Sequence, residues 1–144
     1  VTEEKRVAVY ARQRRRGNPE SLAMQERDCT EWAEQRGMKI AHVYQSVGDD
    51  DQFLDLLNDI AAGRFDAVVA SKTNRFSQRA AKVVALAETA RKHGVAVHVV
   101  EWDDLDLTSS KGKLSLHMLG ALEDLEKEQT RAKKQVRDSW VNRQ

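Results

Sequence analysis

Four short apolar runs, separated by helix-length stretches that end on glycine, constrain this chain more than any other feature. Val7-Ala8-Val9-Tyr10 is the first, Lys39 to Tyr44 the second, Ala67-Val68-Val69-Ala70 the third and Val95 to Val100 the fourth. Their length and β-branched content fit strands. After the first run, Pro19-Glu20-Ser21 introduces a loose helical stripe of Leu22, Met24, Cys29, Trp32 and Ala33, which Gly37 closes. A glycine just past a helix end takes up a positive φ without strain. Leu54, Leu57, Ile60 and Ala61 mark a helix from about Asp51 to Gly63, and Arg79 to His93 another, closed by Gly94. This alternation predicts an α/β fold with a mostly parallel four- to five-stranded sheet flanked by helices.

In such sheets ligands meet the loops at the carboxyl ends of the strands. Those loops are Arg12–Asn18, Gln45–Asp50, Ser71–Gln78 and Glu101–Thr108, and the first and third carry the most phosphate-binding donors. The two are expected on one edge of the sheet. A chain of 144 residues with 40% apolar content fits one compact domain. The absence of any apolar run near 18 residues excludes a membrane-spanning helix. Val1 to Arg6 lacks the apolar stretch of a signal peptide. The single cysteine, Cys29, rules out an internal disulfide and fits a reducing, cytoplasmic location. A formal net charge of +1 conceals clusters: Arg12, Arg14, Arg15 and Arg16 in one loop, and Arg131, Lys133, Lys134, Arg137 and Arg143 in the tail. Local basic patches attract phosphates whatever the overall balance.

From Ser110 onward, Leu114, Met118, Leu122, Leu125, Ala132, Val136 and Trp140 fall close to helical spacing, with Gln129 in the gap. One helix of roughly 28 residues, about 42 Å long, is predicted. The chain thus divides into an α/β part, residues 1–109, and a long helix, residues 110–144. The helix is apolar first and basic second, which suggests a partner helix followed by a polyanion.

Val7-Ala8-Val9-Tyr10-Ala11-Arg12 followed by Ser21-Leu22-Ala23-Met24-Gln25 resembles the start of the serine recombinases, the resolvase/invertase family. Gly63-Arg64-Phe65-Asp66 before a strand, Lys72-Thr73-Asn74-Arg75-Phe76-Ser77 after it, and Gly112-Lys113-Leu114 with Leu122-Glu123-Asp124-Leu125-Glu126 are similar to further family segments, in the same order. The resemblance implies a domain in which a serine attacks a DNA phosphodiester while arginines stabilise the charge on the phosphorane. It implies no metal and no cofactor, guanidinium groups filling that role. It also implies a long helix that forms the dimer contact through Leu114, Met118, Leu122 and Leu125 and then crosses DNA.

The sequence departs from that pattern at its centre. Aligned on the family's Tyr-x-Arg-Val-Ser, Tyr10-Ala11-Arg12-Gln13-Arg14 puts Arg14 at the nucleophile position, and an arginine offers no nucleophilic oxygen. Asn74 replaces the family's aspartate, Gln78 an arginine, and Asp49-Asp50-Asp51 stands where another arginine is usual. Arg12 and Arg75 are retained, and Arg79 is one place from the lost arginine. Ser21, Ser71, Ser77, Ser109 and Ser110 lack the spacing to replace the nucleophile. The four histidines with one cysteine give no zinc spacing, and Asp103, Asp104 and Asp106 are more simply turn and cap residues than cation ligands.

The leading expectation is a non-cleaving, recombination-associated domain that binds DNA and forms a homodimer or higher homo-oligomer. Its phosphate or DNA contacts would be Arg12, Arg14, Arg75, Arg79, Arg131, Lys133, Lys134 and Arg137. An active recombinase with a rearranged site, and a regulatory protein-interaction domain without a DNA role, are the alternatives.

Overall fold

The computed structural model describes residues 4–13, 21–48 and 52–142. The elements, in chain order, are β1 (Arg6–Gln13), α1 (Leu22–Gln35), β2 (Lys39–Val47), α2 (Phe53–Ala61), β3 (Ala67–Ala70), α3 (Thr73–Phe76), α4 (Ala80–Lys92), β4 (Ala96–Val99) and α5 (Ser110–Asn142). A single 3₁₀ turn, Val100–Trp102, follows β4. The four strands form one parallel sheet in the order β2-β1-β3-β4. The chain therefore runs outward from β1 to β2 and then back past it, which opens a crevice at the carboxyl ends of β1 and β3.

Alternation along the central strands sends side chains to two cores. Val7, Val9, Ala67 and Val69 meet Cys29, Trp32 and Ala33 of α1 on one face. Ala8, Tyr10, Val68, Ala70, Val97 and Val99 meet α2, α4 and Leu116 of α5 on the other. Ser21 starts α1, its hydroxyl accepting from the Met24 N–H at 3.2 Å. Tyr44 ties β2 to α2 by donating its hydroxyl hydrogen to Asp59. Burial, reinforced by that bond, pushes the Tyr44 phenol above its ordinary range.

Several boundaries differ from those predicted. β1 continues through Arg12 to Gln13, and β2 through Gln45 to Val47, because the two polar ends remain paired in register, Arg12 against Ser46. Polar residues at a strand end carry no apolar signal, so Arg12 reads as loop from sequence. The Ser71–Gln78 loop contains a helical turn, α3. The fourth strand is shorter than Val95 to Val100, and its end winds into the 3₁₀ turn. On α1 Gln25 is buried with Cys29, Trp32 and Ala33 while Met24 is exposed; on α2 Leu56 is buried and Leu54 exposed. The last helix has 33 residues, longer than predicted.

The end of α1 is fastened to the turn after β4. Arg36 reaches Asp104 at 2.7 Å and lies over the Trp32 ring, whose Nε1–H donates to the Asp103 carbonyl at 3.1 Å. Asp106 Oδ1 accepts from Val97 N, Thr108 N and Thr108 Oγ1 at 3.2, 2.9 and 2.8 Å. The carboxylates of Asp104 and Asp106 and the backbone carbonyl of Asp103 thus organise this turn.

His98 on β4 stacks against Trp32, ring centroids 4.8 Å apart. Burial holds its imidazole below its ordinary range, with Asp106 opposing the shift. The unfolded chain therefore binds a proton that the folded one refuses, and stability falls as pH drops below about 6.5 towards the native value. Urea midpoints of wild type at pH 7.5 and pH 5 are expected to differ more than those of His98→Asn, and equal differences would remove His98 as the source.

Among the described residues no helix is long and apolar enough to cross a membrane.

Candidate phosphate-binding site

The crevice is organised by one buried amide. β1 pairs with β3 only from Val7 to Val9. Further along that edge Gln25, fully buried, takes the place of a strand: its Oε1 accepts from Arg12 N at 2.9 Å and its Nε2 donates to Arg12 O at 2.8 Å. The glutamine of the Ser-Leu-x-x-Gln segment is thus a splint that extends β1 to the site. Gln25→Leu removes both bonds to the Arg12 backbone, with an expected loss of about 2–4 kcal/mol in denaturant unfolding. A loss below 0.5 kcal/mol would show that the splint is dispensable.

Arg12 leans across the crevice from the extended strand, Nη2 donating to the Asn74 carbonyl at 2.5 Å. The contact is to backbone, so asparagine in place of the family's aspartate does not remove it. α3 is pinned by Phe76, which packs on Tyr10 with ring centroids 5.7 Å apart. Arg75, in the same turn, is 9% exposed. The Thr73 N–H donates to Glu101 Oε1 at 3.4 Å, joining the turn to the segment after β4.

A cavity of about 460 Å³ opens beside these residues, lined by Arg12, Ser46, Phe53, Gln78, Arg79 and Lys82 among others. Three cationic side chains, from β1, the start of α4 and its first turn, thus share one polar cavity. Such a set can bind a phosphate by charge-assisted hydrogen bonds. Residues 78 and 79 both line it because Arg79 is extended backbone at the N-cap of α4, not helix. The 100° rotation expected between helical neighbours does not separate them. Lys82 and Ser46 are site residues that the sequence did not single out. Lys82 has a usable signal, since three places after Arg79 at a helix start is the same side. Ser46 has none, being placed only by β1–β2 register.

Arg79 also faces a groove with Glu126, Lys127, Thr130 and Arg131 of α5. Glu123, which also lines this groove, caps α4: both carboxylate oxygens accept from Ala80 N at 3.2 Å. Lys133, Lys134 and Arg137 stand away from the cavity on the exposed end of α5. Leu114, Met118, Leu122 and Leu125 are all exposed, between 49 and 61%. Arg14, at the nucleophile position, and Asp49 to Asp51 lie outside the described residues.

Comparison with known proteins agrees with this arrangement. The family model for the resolvase N-terminal domain matches residues 7–141. The N-terminal catalytic domain of TP901-1 integrase is similar with a TM-score of 0.67 and 26% identity, covering 86% of this chain and 98% of its own. A resolvase family site-specific recombinase from Streptococcus pneumoniae shares the fold with a TM-score of 0.66 and 24% identity, over 98% of this chain and 100% of its own. So does the C-terminal catalytic domain of ISC1926 TnpA, an IS607-like serine recombinase, with 0.58 and 22% over 66% and 68%. Curated protein sequences give no match. The parallel sheet, the arginine at the end of its first strand and the long last helix, matched over nearly the whole chain, place it in the resolvase N-terminal domain family, among the serine-recombinase-like domains related to site-specific recombination.

Proposed function

We propose that this chain is a non-cleaving, oligomerising member of its family that holds duplex DNA by the phosphate backbone. The observation that carries the reading is the cavity that joins Arg12, Arg79 and Lys82 in a chain whose nucleophile position is Arg14. Phosphate binding needs only donors and positive charge, whereas cleavage needs an oxygen nucleophile. Residues 1–109 form the phosphate-binding body and residues 110–144 an arm that both pairs with a second copy and follows DNA. Lys127, Arg131 and Lys134, at i, i+4 and i+7, share one side of α5. The first two line the groove that leads to Arg79. Arg137 adjoins that side, Lys133 adds charge from about 100° further round the helix than Lys134, and Arg75 lends its charge from α3. Arg14 belongs to the same set as a binding residue.

Fluorescence anisotropy with a mixed-sequence duplex is the test. The affinity is expected to fall steeply with salt. Arg79→Ala with Lys82→Ala is expected to weaken it about tenfold per side chain and to reduce the salt slope by about 0.9 for each phosphate no longer neutralised. Intact-mass spectrometry after incubation is expected to show no protein–DNA adduct. A serine-linked adduct would establish an active recombinase with a rearranged site. No binding at 100 μM duplex (roughly the weak end of non-specific affinity) would leave protein interaction without a DNA role.

A further inference from the structure

We propose that the phosphate cavity prefers a terminal phosphomonoester, entering with the nucleoside that carries it, to the phosphodiesters inside a strand. The inference rests on the phosphate-binding reading above and names the ligand class of that site. A lone phosphate displaces only a few waters of about 30 Å³ each, whereas the cavity measures about 460 Å³. That lies within the roughly 300–1,000 Å³ of sites that enclose a whole small molecule.

The cavity is also closed below. Five elements wall it: Arg12 comes from β1, Ser46 from β2, Phe53 from α2, Phe76 from α3 and Lys82 from α4. Ser46 and Phe76 are each 2% exposed and form the floor, while Arg79 and Lys82 are exposed at the mouth. Arg12, half-buried, lies beside Ser46 in the β1–β2 register. A phosphodiester has chain leaving on both sides, so seating one beside Arg12 and Ser46 would force the strand in and out through one mouth. A strand end or a free nucleotide enters once.

Charge points the same way. Arg12, Arg79 and Lys82 line the cavity, and among the described residues no carboxylate does. A phosphodiester brings one negative charge, a phosphomonoester close to two at neutral pH, since its second ionisation falls near pH 6. The monoester also presents three unesterified oxygens, one for each cation, against the two of a diester. Phe53, half-buried at the start of α2, supplies an aromatic ring on which a base can stack. Gln78 brings an amide to the mouth that can donate to or accept from base or sugar. Internal phosphates of the same strand then fall to the groove of Lys127 and Arg131.

Calorimetric titration of the full chain with three trinucleotides of one sequence tests this, the 5′ end bearing a hydroxyl, a phosphate or a phosphate methyl ester. A second set carries the same groups at the 3′ end. The methyl ester is a diester with no strand beyond it, so it nearly keeps the size and removes one charge. The phosphate of one set is expected to bind about tenfold or more tightly than its ester and its hydroxyl. Lys82→Ala, at an exposed position, is expected to cut the preference over the ester to about threefold or less. Phe53→Leu, which keeps an apolar side chain against the core, is expected to weaken phosphate and ester alike by about fivefold. A mononucleotide that binds as tightly as the phosphorylated trinucleotide would support a free nucleotide as the ligand, and one that binds more weakly a strand end. Equal affinity for phosphate and ester in both sets, or a preference that survives Lys82→Ala, would overturn the inference and leave the backbone-binding reading standing. So would trinucleotides that fail to bind at about 1 mM while the duplex binds. Failure of the duplex as well would overturn both.

Discussion

Gly112→Ala is expected to lower stability by about 3 kcal/mol or more, a fall of about 10 °C in melting temperature. A Cβ at this position would lie 2.2 Å from the Asp106 carbonyl oxygen and 2.6 Å from Leu107 Cα. Both obstacles are backbone, held by the Asp106 bonds to Val97 and Thr108, so no side chain can swing aside. Ser109 fixes the helix from the other direction, its hydroxyl accepting from Gly112 N at 3.1 Å. Relief requires the first turn of α5 to lift, which draws Leu116 and Leu107 from the core. Gly120→Ala is the control on the same helix: its Cβ would meet only the Ala80 Cβ at an ordinary 3.7 Å. Higher helix propensity is expected to make it neutral or stabilising by up to about 1 kcal/mol. Thermal unfolding of the two variants beside wild type is the measurement, and similar melting temperatures for both would refute the close approach.

Leu122→Glu combined with Leu125→Glu is expected to convert a dimer into a monomer without disturbing the fold. The two side chains are 56 and 49% exposed in the isolated chain, so the body loses little packing with them. A symmetric pair buries each leucine twice, and about 1.5 kcal/mol for each of the four is about 6 kcal/mol, more than a thousandfold in dissociation constant. Sedimentation velocity at 10 to 100 μM (roughly bracketing a weak helix pair) with circular dichroism as the folding control decides it. An unchanged association state in the well-folded variant would show that this stripe is not the contact.

The sheet was legible because its strands are apolar and α1, α2 and α4 are each closed by a glycine. Gly37, Gly63 and Gly94 all take positive φ. The site was legible in part. Motif order pointed to Arg12 and Arg75, and the neighbouring Gln78 to Arg79, of which Arg12 and Arg79 line the cavity; the polar end of β1, the register that brings Ser46 beside Arg12 and the role of Gln25 depend on partners distant in sequence. α5 shows the same limit in another form. Its outward side is written in large apolar residues, which periodicity reveals directly. Its inward side is built from Gly112, Leu116, Gly120 and Glu123, of which one alone is a large apolar residue. Close backbone approach and a helix cap leave almost no hydrophobic trace, so the side facing the body is the harder one to see.

Glu123 is the last residue of α5 that the body holds; residues 124–141 are exposed. The segment from there to Asn142 is about 28 Å of helix, and a tilt of about 10° at Glu123 moves its tip by about 5 Å, nearly one helical turn. The last hold on the aim of the arm is therefore the single N–H of Ala80, shared between the two Glu123 carboxylate oxygens, on the residue directly after Arg79 of the phosphate cavity. A displacement too small to disturb the core becomes, at the far end, the difference between adjacent contact positions.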